Sequence, residues 1–97
     1  MKNLTDIRTT INNCRHDLTN KYKVKEIGVF GSFVRGEQSK KSDIDILVEF
    51  NEPIGFFEFL ELEEYLEKIL KSKVDLVSKK ALKPNIGKHI LEEVILI

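Results

Sequence analysis

Apolar side chains at Leu4, Ile7, Ile11, Cys14 and Leu18 recur every three or four positions, with Arg8, Asn12, Arg15 and Thr19 between them. That spacing predicts one amphipathic helix over residues 3–22. Cys14 falls in the apolar stripe and reads as a buried small hydrophobe rather than a nucleophile. Val24–Phe30 is short, rich in branched and aromatic side chains and stopped by Gly31, which predicts a strand. Residues 32–36 suffice for about one helical turn. Residues 37–42 are polar and read as a loop. A second strand is predicted over 43–50, with Ile44, Ile46, Val48 and Phe50 on one face, and Asn51, Pro53 and Gly55 break the chain after it.

Residues 56–71 have helical periodicity, with Phe59, Leu62, Leu66 and Ile69 as the inward stripe. Glu64–Lys68 and Glu67–Lys71 are supporting pairs four residues apart, and the glutamates of this helix read as a solvated face. Val74–Ser78 predicts a third strand. Lys83-Pro84 opens a last helical segment carrying Ile86, Ile90 and Val94. The order is helix, strand, short helix, strand, helix, strand, helix. This is an α/β (α+β) pattern, a small sheet covered by helices. Several folds share that order, so it does not define function.

Composition narrows the picture. A chain of 97 residues has the length of one domain, taken as residues 1–97. With 41% hydrophobic and 33% charged residues it is globular rather than disordered. A chain of this size buries only about 60–65% of its unfolded surface, so a partner or a second copy could add stability. The apolar run Val94-Ile95-Leu96-Ile97 has two readings: it completes the chain's own core, or it joins a partner. Sixteen basic residues balance sixteen acidic ones, which removes any general attraction to nucleic acid and leaves only a local basic patch open. The single cysteine excludes an intrachain disulfide and a cysteine-based metal cluster. Neither a secretory signal nor a membrane-length apolar run is present, so the expected location is the cytoplasm.

The chemistry gathers in Gly31-Ser32-Phe33-Val34-Arg35-Gly36 and Ser42-Asp43-Ile44-Asp45-Ile46. Residues two apart on a strand share a face, so Asp43 and Asp45 project together. Aspartate is a poor strand former, and two like charges about 4–6 Å apart repel by a few kcal/mol at an effective dielectric near 20. A cation resolves that repulsion, and magnesium suits it because it takes one or two carboxylates plus phosphate oxygens and water. The competing reading starts the strand later and leaves both aspartates in the loop. Gly31 and Ser32 follow the first strand and open a short helix, where backbone N–H groups and the hydroxyl can meet a phosphate. Arg35, one turn on, offers a fork of donors. Alone, this segment is equally a tight turn at a strand end. Asp75 alternates with Val74 and Leu76 and reads either as an exposed strand residue or as a third carboxylate beside the first two.

Together these residues resemble the signature of the minimal nucleotidyltransferases of the DNA polymerase beta-like superfamily. That signature is Gly-Ser, ten residues, then Asp-x-Asp, with Arg-Gly inside the gap; Gly31-Ser32, Arg35-Gly36 and Asp43-Ile44-Asp45 match it. Val34 stands where the family often has alanine, and Asp75 matches the third acid. The resemblance implies a polymerase beta-like fold with a three- to four-stranded mixed sheet. It also implies two magnesium ions held by Asp43, Asp45 and Asp75, with Asp75 taking the proton of the attacking hydroxyl. Gly31 and Ser32 would cradle the β- and γ-phosphates of ATP. Arg35 would either steady the leaving pyrophosphate or anchor the short helix. Lys40 and Lys41 are left between phosphate contact and a solvated loop. The resemblance further implies an antitoxin that transfers AMP from ATP to a tyrosine of a HEPN-type toxin. Two alternatives stand beside that reading: a non-catalytic module that neutralises its partner by contact, and a transferase acting on RNA or a small molecule.

Overall fold

The computed structural model describes residues 3–39 and 41–97. Helix α1 spans Leu4–Asn13 and opens with a reciprocal cap. The Asn3 side chain accepts the Asp6 N–H at 2.9 Å, and the Asp6 carboxylate accepts the Asn3 N–H at 3.3 Å. The predicted single helix over 3–22 is in fact two. It breaks at Cys14 (φ −106°, ψ 12°), whose N–H bonds tightly back to the Ile11 carbonyl, and α2 then runs Arg15–Asn20. Ile7, Ile11 and Leu18 are all fully buried, so the apolar stripe runs straight across the break. Periodicity could not reveal it. Arg15 holds the junction from outside, donating to the Asn12 side chain at 2.9 Å and to the Ile97 backbone oxygen. Cys14 is half-buried, less enclosed than its place in the stripe predicts.

The strands are β1 (Val24–Phe30), β2 (Ile44–Phe50), β3 (Val74–Ser78) and β4 (Ile95–Leu96). Short helix α3 (Ser32–Arg35) joins β1 to the loop before β2. Helix α4 (Phe56–Leu70) joins β2 to β3, which is followed by a 3-10 turn, Lys79–Ala81, and helix α5 (Pro84–Glu93). The sheet order is β3-β2-β1-β4, with β2 and β3 parallel and the other pairs antiparallel. It is the small mixed sheet flanked by helices that the resemblance implied. Alternation sorts its two faces. Ile27, Val29, Ile44, Ile46, Val48, Val74 and Leu76 pack with Ile7, Ile11, Leu18, Leu62, Leu66 and Leu70 to form the core. The opposite face carries Gly28, Phe30, Asp45, Leu47 and Asp75.

Two expectations about α4 change. Its fully enclosed stripe is Leu62, Leu66 and Leu70, with Phe59 and Ile69 only partly buried beside it. The glutamates are not all a solvated face. Glu67 accepts the Val74 N–H at 3.1 Å and Glu63 the Leu76 N–H at 3.0 Å. Both N–H groups lie on the open side of the edge strand β3, so the helix satisfies donors that a neighbouring strand would otherwise take. Among the described residues neither Glu64–Lys68 nor Glu67–Lys71 closes as an ion pair.

The C-terminal run departs most from its helical reading. Ile86 is exposed, and Val94 ends the helix instead of extending it. The chain then lies along β1, with Gly28 opposite Leu96, Val29 opposite Ile95, and the Ile97 N–H bonded to the Ile27 carbonyl at 2.9 Å. The run is thus used within the chain, and only Leu96 stays open, at 56% exposure. Gly28 permits this approach: a Cβ there would stand 2.7 Å from Val94 Cγ2 and 2.9 Å from the Ile95 carbonyl oxygen. Gly28→Val is expected to loosen β4 and destabilise the protein by about 1–3 kcal/mol. Urea unfolding checks this, and an unchanged midpoint would mean that the close approach carries no stability. No helix among the described residues is long and apolar enough to cross a membrane.

Candidate active site

The sequence places the candidate residues on three separate segments, and the sheet brings them to one edge of its second face. β1 ends at Phe30, which pairs with Asp45 of β2, and Asp45 in turn pairs with Asp75 of β3. Neighbouring strands lie about 4.8 Å apart, so Asp45 and Asp75 stand side by side. Asp43 precedes the first residue of β2 and is exposed, so the two competing readings of Asp-x-Asp are each half right: Asp43 is in the loop and Asp45 is in the strand. The Ile44 N–H bonds to the Lys73 carbonyl at 2.9 Å and ties Asp43 to the start of β3.

Gly31 forms the turn from β1 into α3 with φ 78° and ψ −150°, a region that side chains other than hydrogen hardly enter. A Cβ at Gly31 would lie 2.0 Å from Asp45 Oδ2. The glycine is therefore required by the Asp45 carboxylate, which packs directly on the turn. This need is separate from the close approach of a phosphate that the sequence suggests. Helix α3 closes at Gly36, which is left-handed at φ 73°.

The electrostatics follow from this packing. Half-burial is the main cause that lifts the Asp45 carboxyl above its ordinary range, and the charges of Asp75 and then Asp43 add to it, while Arg35 opposes them. Among the described residues the carboxylates are not drawn into a closed cage of three ligands. Magnesium does not need one, since one or two carboxylates complete its shell with phosphate and water. A half-buried carboxylate crowded by two others is the donor chemistry such a cation satisfies.

Arg35 sits between two carboxylates. Its Nε donates to Glu37 and its Nη1 to Glu93, each at 2.6 Å. Glu93 also accepts the Gly31 N–H at 3.0 Å. That bond, followed by the Arg35 contacts, holds the Glu93 carboxyl below its ordinary range. Gly31's own N–H is thereby taken. The donors left at this turn are those of the first residues of α3, the Ser32 hydroxyl and the rest of Arg35. Sequence reasoning missed both glutamates. Glu93 is 62 residues from Gly31, and no local pattern marks it. Lys41 is exposed, and Lys40 lies outside the described residues.

A mixed sheet that sets paired carboxylates beside a glycine-opened turn and a short arginine-bearing helix is the frame of a nucleotidyl-transferring domain. The chain belongs to the nucleotidyltransferase domain family, whose sequence profile matches residues 11–97. It is 51% identical over 98 residues to a protein of Methanocaldococcus jannaschii provisionally named a protein adenylyltransferase, covering 98% of each chain. It is 47% identical over 95 residues to the protein adenylyltransferase MntA of Thermococcus cleftensis, covering 98% of this chain and 96% of that one. Its fold superposes on a solved structure provisionally described as a minimal nucleotidyltransferase with a TM-score of 0.82 and 32% identity, covering 97% of this chain and 95% of the other. A solved toxin–antitoxin structure with AMP-PNP matches with a TM-score of 0.76 and 26% identity over 94% of this chain and 71% of that one.

Proposed function

We propose that this protein is a magnesium-dependent protein adenylyltransferase. In this reading residues 1–97 act as one domain in the cytoplasm and move AMP from ATP to a tyrosine hydroxyl of a HEPN-type toxin, so that the protein serves as the antitoxin. The observation that carries the reading is the register pair Asp45–Asp75, with Asp45 packed against the Gly31 turn. The names of the relatives support protein as the acceptor and AMP as the group moved. The toxin–antitoxin match supports the kind of partner.

Asp43, Asp45 and Asp75 would hold two magnesium ions. When bound, they neutralise the triphosphate and lower the pKa of the incoming hydroxyl. Ser32 donates to the β- and γ-phosphates through its hydroxyl and N–H. Gly31 contributes the shape of the turn, and Arg35 faces the leaving pyrophosphate. Asp75 is exposed at the outer strand and takes the hydroxyl proton as that oxygen bonds to the α-phosphorus. The bond from that phosphorus to the pyrophosphate oxygen breaks, and pyrophosphate leaves. A partner that carries its own acceptor supplies proximity through the protein–protein contact.

Incubating the protein with ATP, magnesium and the product of the adjacent gene tests the proposal by intact-mass and peptide spectrometry. Added AMP on a tyrosine of that product is expected. Label found only on RNA or a small alcohol would overturn the acceptor, and tight association without any label would favour neutralisation by contact. Ser32→Ala should weaken use of ATP by about 1.5–3 kcal/mol, the cost of one hydrogen bond to a charged group, with little change in melting temperature. Unchanged kinetics would leave this turn a structural element only.

A further inference from the structure

We propose that Glu93 is a positioning residue for nucleotidyl transfer: it locks the Gly31 turn and the Arg35 guanidinium in the arrangement that receives the triphosphate. The inference rests on the nucleotidyltransferase reading above.

One carboxylate makes two contacts with the two ends of the same short segment. Glu93 Oε2 accepts the Gly31 N–H at 3.0 Å, and Oε1 accepts from Arg35 Nη1 at 2.6 Å. The first contact holds the peptide whose φ of 78° and ψ of −150° let Asp45 pack on the turn. The second fixes one nitrogen of the guanidinium, and Glu37 fixes Nε. Arg35 Nη2 is left without a partner among the described residues, so the guanidinium is held by two anions and keeps one edge for a third. A flexible arginine would lose rotamer freedom at the moment of binding, and one already clamped does not.

A carboxylate at a phosphate-binding turn could instead act as a plug that ATP must displace. The backbone around Glu93 argues against that. Glu93 is the last residue of α5, and Val94, next to it, packs on the bare Cα of Gly28, where a Cβ would come within 2.7 Å of Val94 Cγ2. Ile95 then enters β4 opposite Val29. The residue is pinned on its C-terminal side by the sheet itself. Its carboxylate accepts the Gly31 N–H and not an N–H of α3 itself. It is a strut, and through it the C-terminal helix and β4 bear on the site.

Titrating the purified protein with magnesium and AMP-PNP by calorimetry tests this without any acceptor. Glu93→Gln keeps an acceptor for the Gly31 N–H and loses the ion pair, whereas Glu93→Ala loses both. We expect binding weakened by about tenfold for Gln and more for Ala, with the Gln variant melting within a few degrees of wild type. The decisive readout is coupling. In an Arg35→Ala background, Glu93→Gln should cost almost nothing further, because the guanidinium it positions is gone. Equal affinity of Glu93→Gln and wild type overturns the proposal. Tighter binding by Glu93→Gln overturns it in favour of the plug. A full tenfold loss that persists in the Arg35→Ala background overturns it in favour of a general structural role. Should Glu93→Ala not fold, the Gln variant and its coupling still decide. A wild-type protein that binds no AMP-PNP with magnesium fails the nucleotidyltransferase reading itself, whereas normal wild-type binding with an unaffected Glu93→Gln fails only this one.

Discussion

Asp45→Asn is expected to abolish transfer and, in metal-free buffer, to raise the melting temperature. Most substitutions destabilise, so a rise would be diagnostic. The physical reason is the crowding of Asp45 by burial, by Asp75 and by Asp43, all of which penalise its charged form. Its carboxyl therefore titrates higher in the folded protein than in the unfolded chain. Between those two values the folded state binds more protons, so stability falls as pH rises through this window, and above it the full penalty persists. Below the unfolded value both states are protonated and the penalty is gone. The Asn variant should accordingly gain most at neutral pH and little in acid. Magnesium should raise the melting temperature of the wild type, because it binds the folded carboxylates, and should do so less for the variant. Asp43→Ala should lose activity as fully with a smaller thermal change, because Asp43 is exposed. Thermal scans at two pH values, with and without magnesium, check all of this. Full activity in Asp45→Asn would sink the metal assignment.

Gly31→Ala should also abolish transfer, but with the opposite thermal sign. The backbone region it occupies costs a residue with a side chain about 1–3 kcal/mol. In addition, the new Cβ would stand 2.0 Å from Asp45 Oδ2, so the carboxylate must leave its place. The two effects are separable. Adding Asp45→Ala to Gly31→Ala removes the colliding oxygen and should recover part of the lost melting temperature, while activity stays absent. A Gly31→Ala protein with normal stability and turnover would show that the turn tolerates a side chain, and that the contact with Asp45 does not set the site.

Both predictions needed the fold, although the residues in them were chosen without it. Gly31, Ser32, Arg35, Asp43, Asp45 and Asp75 were legible as candidates because their pattern is local and resembles a family signature: a glycine at a strand end, a fixed spacing to Asp-x-Asp, and an acid alternating with apolar neighbours. β1, β2, α4 and β3 were legible for the same reason, since periodicity of about two or 3.6 residues is written in contiguous positions. The break at Cys14 escaped because the stripe of Ile7, Ile11 and Leu18 is continuous through it. β4 escaped because two residues are too few for a period, and because what makes them a strand is the bare face of Gly28 on a distant strand. The contact that demands glycine at position 31 escaped for a related reason: its neighbour, Asp45, is adjacent only across the sheet. Glu93 is the extreme case. Nothing near it in the chain distinguishes it from Glu92, and it meets Gly31 and Arg35 only when the chain after α5 folds back along β1 as β4. Local order thus marked β1, β2, α4, β3 and the candidate groups, while the contacts that hold those groups in place form only on chain closure, between residues whose separation no periodic signal spans.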